Sequence, residues 1–260
     1  MILMENYTVM LNYENLDLIK ISPNILDLDL NVALETLETQ YRELLKELPL
    51  FNVIVTKNWT FEQKRMFTKV FYHLRGHFYR FLWIIGSYAP GTTEKKIILK
   101  NIFEEFGETR RSHELLYFDF ARALQVDIEQ EIITEENYVD FARKFNKEHI
   151  DWLVEHNWNE KLAAFSAYEH LDNVDYNFLL ALTKSFGLEE ESLLFFKVHT
   201  KVEHYQATEV FIHDIWGEDP RSIINGFHFI YNHQINMWKN LSKLISIFSK
   251  NEVKVAKEPM

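Results

Sequence analysis

Seven glycines and five prolines are all that punctuate this chain of 260 residues, and that scarcity constrains the fold more than any other feature. Tight turns and strand boundaries draw on glycine for positive φ and on proline for a fixed φ, so a chain poor in both has few places to reverse and must form long elements. Apolar residues recur at helical spacing through most of the length. Between Leu30 and Leu48, for example, Val32, Leu34, Leu37, Tyr41, Leu44 and Leu45 fall three or four residues apart with charges between them. Thr60 and Gln63 make a capping-box pattern that opens a helix running to about Ser87, ahead of Pro90 and Gly91. The same reading places helices over Thr93–Phe106, stopped by Gly107, then Arg110–Leu124, Thr134–Glu155, Glu160–His170 and Val174–Phe186. A long one follows over Glu189–Trp216, and a last one opens at Asp219-Pro220, an N-cap with proline behind it, and runs to about Ser249. Phe51–Val55, the one competing stretch, is read as a connector. The expectation is a single all-α domain over residues 1–260, a bundle of about eight or nine helices, with an N-terminal extension at 1–30 and a polar tail at 250–260.

Composition narrows the function. The chain has 28 basic and 39 acidic residues, a net charge of -11, which argues against nucleic acid or an anionic membrane surface as a partner. It has no cysteine, so disulfides, iron–sulfur clusters and thiol nucleophiles are excluded. The opening residues MILMEN carry no basic segment before an apolar one, and runs such as Phe81–Ile85 are too short to span a bilayer. A cytoplasmic location is expected. A homodimer is compatible with the long last helix, on the general frequency of two-fold assemblies alone.

The glycine positions allow neither a G-x-G-x-x-G nor a Walker loop. No histidine has a glutamate three residues before it, which removes the Glu-x-x-His arrangement of ferritin-like bundles. What remains is a set of acids and imidazoles on separate elements. His199 and Glu203 are spaced i, i+4 and would stack on one helical face, with Glu169 on an earlier helix. Glu105 and His113 flank Gly107, and the break matters because eight residues of unbroken helix would turn the two side chains about 80° apart. Together they give three carboxylates and two imidazoles, a donor set suited to iron or manganese and chemically open to zinc.

The order N-x-x-x-E…G…H, then Y-E at Tyr168-Glu169, then F-F-x-x-H-x-x-x-E ending at Glu203 resembles the haem-oxygenase-like helical proteins. Within them it is most similar to the non-haem di-iron oxidases and oxygenases related to the chlamydial protein associating with death domains. Pyrroloquinoline-quinone synthase and thiaminase II are metal-free relatives of the fold. The resemblance covers about Phe51 to Trp238. It implies metal ligands at Glu105, His113, Glu169, His199 and Glu203, the last standing where aspartate is usual. It puts Gln206 where the family has a sixth ligand, a histidine. A neutral amide is a weak ligand, so the resemblance implies one iron, or two with the second loosely held. On an unbroken helix His213 would continue this stripe about 10 Å further on, and His204 would point some 140° from His199.

Other residues have plainer readings. His73, His77, His170 and His228 are assigned to hydrogen-bonded core or boundary positions. Phe67, Phe71, Phe78 and Phe81 are assigned to the core, with one end open to a substrate pocket. Glu104, Glu108 and Glu189–Glu191 read as solvated faces. Arg75 and Arg80 are assigned to surface pairing, with orientation of a substrate carboxylate as the alternative. The function expected is an iron- and dioxygen-dependent oxidoreductase acting on a small organic substrate of the amino acid, amine or fatty acid type. The alternatives are a metal-free biosynthetic enzyme, in which a carboxylate does acid–base work, and a non-catalytic ligand-binding or regulatory protein.

Overall fold

The computed structural model describes residues 18–107, 111–201 and 205–255. It contains no strand among these residues, and the all-α expectation holds. The α-helical segments are α1 (Leu30–Glu47), α2 (Val53–Thr56), α3 (Phe61–Arg75), α4 (Phe78–Tyr88), α5 (Thr92–Phe106) and α6 (His113–Ala123). They continue with α7 (Ile128–Thr134), α8 (Asp140–Glu155), α9 (Trp158–Lys184), α10 (Leu194–His199), α11 (Gln206–Glu218) and α12 (Pro220–Val255). Short 3-10 turns precede α1, α2 and α10.

The longest helices, α9 and α12, pack against each other at the centre, and α1, α3, α8, α10 and α11 surround them. Gly226 permits the close crossing of this pair. A Cβ there would lie 2.6 Å from the Ala163 Cβ and 2.7 Å from the Ala164 backbone nitrogen, too near for any side chain. A buried polar contact ties three helices together: the Tyr41 hydroxyl donates to Asp175 Oδ1 at 2.7 Å, and the Trp238 indole N–H lies 3.1 Å from Asp175 Oδ2. Burial pushes the Asp175 carboxyl up to about 7, against the opposing pull of Arg75 and of the Tyr41 hydrogen bond. One hydrophobic cluster runs from Ile19 to Ile245, with Phe67, Phe71, Phe81 and Trp238 inside it.

Several helix boundaries depart from the sequence reading. The segment Thr60–Ser87 opens with the expected capping box, but it breaks at Gly76 and His77 into α3 and α4. The two helices expected over 160–186 are one. Asp172 and Asn173 resemble capping residues, yet the Asp172 side chain turns inward to an ion pair with Arg75, and the helix carries on. The long helix expected over Glu189–Trp216 is interrupted, because α10 ends at His199. There the Thr200 hydroxyl donates to the Lys197 carbonyl at 2.9 Å, and Lys201 N closes a short turn onto Val198 O at 3.0 Å. His199 and Gln206 therefore sit on different helices. Part of the expected N-terminal extension is docked, with Leu18 N and Ile19 N donating to Asn232 Oδ1 at 2.7 and 2.9 Å. The last helix continues to Val255, past the expected end near Ser249.

Candidate metal centre

Glu105 lies in the last turn of α5, and Gly107 follows in the left-handed conformation (φ 79°), its N–H closing the helix onto Phe103 O and Glu104 O. Residues other than glycine pay for that conformation sterically, so glycine suits the position that ends α5. Ser112 then caps α6 by accepting from Leu115 N at 3.2 Å, which makes His113 the first helical residue. The outcome is a direct contact between His113 Nδ1 and Glu105 Oε1 at 3.1 Å. Burial opposes charge on His113, but the Glu105 carboxylate outweighs it and raises the imidazole above its ordinary range.

His199 closes the group from α10. Its ring lies 4.4 Å from that of His113, centroid to centroid, and stacks on Tyr176 at 4.1 Å. Its Nδ1 lies 2.6 Å from the Phe195 carbonyl, a contact in which Nδ1–H is the donor, which leaves Nε2 as the ring's other nitrogen for a metal. A histidine pinned in this way is the usual arrangement at metal sites. Among the described residues, Glu105, His113 and His199 each offer a ligand atom within 4.8 Å of the others. They stand in the wall of a cavity of about 570 Å³, within the range of small-molecule sites.

The remaining expected ligands fall out differently. Glu169 is buried on α9, 2% exposed, and its Oε1 has no hydrogen-bond partner among the described residues. Burial pushes its carboxyl well above the ordinary range, and the charges of Asp172 and Glu105 push it the same way. A buried acid with an orphaned oxygen, next to other acids, is what a cation would neutralise. Glu169 nevertheless lies outside the three-residue group and the cavity wall. Glu203 and His204 lie outside the described residues. Gln206 is exposed at the first position of α11 and does not line the cavity. His213 is exposed on that helix, so the stripe from His199 to His213 is broken.

Two residues of the site were misread or missed. Arg75, assigned to surface pairing, is buried: it donates to the Tyr168 hydroxyl at 2.9 Å and pairs with Asp172. Its guanidinium lies 4.8 Å from the Tyr168 ring and 5.4 Å from the Tyr176 ring. Burial disfavours its charge, and Asp172 more than restores it. Asp172 itself is pushed up to about 6, by burial first, with Arg75 pulling down and Glu105 pushing up. The signal for Asp172 was present, since Glu169, Asp172 and Tyr176 repeat at i, i+3, i+7 along one helical face. Arg80 is exposed and contacts Tyr79, as the surface reading had it. The plain reading of the other histidines also holds for three of the four: His73 bonds Glu131 at 2.9 Å, His170 bonds Glu38 at 2.6 Å, and His228 bonds the Ile19 carbonyl at 2.8 Å. His77 is partly buried with neither ring nitrogen partnered among the described residues, and burial lowers it to about 4.

With an acid-and-imidazole cluster on an all-α scaffold established, residues 65–221 match the iron-containing redox enzyme family. The chain belongs to that family. Solved structures show the same fold. One is a domain of unknown function with a heme oxygenase-like fold from Shewanella denitrificans, 16% identical, with a TM-score of 0.68 over 85% of this chain and 95% of its own. Another is a CADD-like protein of unknown function from Nostoc punctiforme, 17% identical, with a TM-score of 0.61 over 82% of this chain and 96% of its own. No curated protein matches the sequence. Among the described residues, the Glu105–His113–His199 cluster has donor chemistry that suits iron.

Proposed function

We propose that the protein is a non-haem, iron-dependent oxidoreductase that acts with dioxygen on a small organic molecule held in the cavity beside Glu105, His113 and His199. The observation that carries this reading is the convergence of those three ligand atoms within 4.8 Å in a cavity wall. Glu105, His113 and His199 would hold the ion, with Glu169, buried with an unpartnered oxygen, a candidate for a further carboxylate. A ferrous ion in such a site supplies electrons to dioxygen and positive charge to polarise what binds beside it. Manganese suits the same donors.

The chain's own groups define the rest of the chemistry. The Phe195 carbonyl, 2.6 Å from His199 Nδ1, fixes the orientation of the His199 ring. Tyr176 and Phe195 pack against the His199 ring and keep bulk water from that side. The Arg75–Asp172 pair sets a charged wall whose members are held by Tyr168 and by each other. A second reading, a metal-free enzyme, draws on Asp172: a carboxyl near 6 in a cavity wall has the right range for acid–base work.

Dioxygen consumption separates them. The iron reading predicts substrate-independent or substrate-stimulated uptake by ferrous-loaded protein, reduced at least ~100-fold in His199→Ala. Equal uptake by native and variant protein contradicts it.

A further inference from the structure

We propose that the cavity receives a cationic amphiphile, an ammonium group on an apolar chain, with the chain lying along an exposed aromatic strip on α4 and α5. The inference rests on the functional reading above only in taking this molecule as the one presented to the metal centre.

The strip follows from how α4 and α5 pack. The Tyr79 ring lies 5.9 Å from that of Phe106, and a Cβ on Gly86 would lie 3.2 Å from an Ile98 methyl. The start of α4 thus meets the end of α5, and its end meets the middle of α5, so the two run antiparallel. Leu99, Phe103 and Phe106 share one face of α5 at i, i+4, i+7, and Trp83 stands one turn beyond Tyr79 on the facing side of α4. Their exposures are 40%, 49%, 58% and 52% in that order. Single exposed apolar residues are ordinary, but four large ones on the facing sides of two packed helices offer a surface on which an apolar chain can lie. The row also leads somewhere, because Phe106 and the exposed Leu115 are themselves part of the cavity wall.

Charge selects the head group. Glu105, Glu114 and Asp172 line the cavity; His113 pairs with Glu105 and Arg75 with Asp172, and among the described lining residues no cation pairs with Glu114. Asp172 and Tyr168 already occupy Arg75, and the Tyr72 hydroxyl is given to Glu114 at 3.0 Å. A carboxylate head would meet acids whose partners are engaged. An ammonium would meet carboxylates together with the faces of Tyr72 and Tyr79, which attract cations. An ion held by Glu105, His113 and His199 would leave Glu114 in place to receive the ammonium.

Titration calorimetry of straight-chain primary amines of increasing length tests this, on the full chain both iron-free and ferrous-loaded, with matched carboxylates in parallel. Affinity should rise about fourfold per methylene while the chain remains on the strip, and amines should bind more tightly than acids of equal length. The double variant Leu99→Gln, Phe103→Gln, altered only at exposed positions, should flatten the slope and leave short amines unchanged. A flat series on the native chain, tighter binding of the acids, or a concentration-dependent dimer that the double variant dissolves would overturn the proposal. Because the slope is read without iron as well, absence of metal binding would defeat the functional reading and leave this one standing.

Discussion

At the residue scale, the site depends on groups whose charge the fold controls. Buried Arg75 pairs with the partly buried Asp172, and removing one member leaves the other without its ion-pair partner. Arg75→Met should destabilise the protein by about 3–5 kcal/mol in urea unfolding, and the double variant Arg75→Met, Asp172→Leu should recover much of that loss. Equal loss in single and double variants would mean that the pair acts through packing alone. Glu38 offers a pH test away from the site. The His170 hydrogen bond, against burial and with help from Arg42, lowers its carboxyl from 4.5 to about 2. A depressed carboxylate stabilises the fold fully above its unfolded value, and the gain is lost as pH falls through about 2. Glu38→Gln should therefore lower the melting temperature at pH 5 and leave it nearly unchanged at pH 2. The convergence of Glu105, His113 and His199 was legible in part: the glycine break drew the first two together, and His199 came from its spacing to Glu203 and its place in the family resemblance. Arg75 was not, since an arginine on an aromatic helix looks the same whether it faces water or the core, and only the inward turn of Asp172 from α9 decides.

At the scale of elements, packing overrode local signals in both directions. Capping-type residues at 172–173 suggested an end to α9, and a tertiary ion pair carried the helix through. Continuous apolar periodicity over 189–216 suggested one helix, and the side-chain and backbone bonds at Thr200 and Lys201 closed it at His199. That closure removes Gln206 from the face carrying His199, which no i, i+7 count could reveal. The crossing of α9 and α12 is the element-scale feature most open to test. Gly226→Ala inserts a methyl where the neighbouring Cβ stands 2.6 Å away, and it should cost about 1–3 kcal/mol in chemical denaturation. A neutral effect would show that the two helices separate freely.

For the whole molecule, the scarcity of glycine and proline sufficed to give an all-helical bundle, and the order of short motifs gave its family. The Glu105–His113–His199 cluster sits where α5, α6 and α10 meet against the α9 face, so it is assembled from segments nearly a hundred residues apart. No described helix is long and apolar enough to cross a membrane. The most direct test of the account is iron content by elemental analysis after anaerobic reconstitution with ferrous ion, on the native chain, His199→Ala, Glu169→Ala and Gln206→His. The account predicts stoichiometric iron in the native chain, loss in His199→Ala, a reduced amount in Glu169→Ala and no change in Gln206→His. Equal iron in native protein and His199→Ala, or none in either, would contradict it.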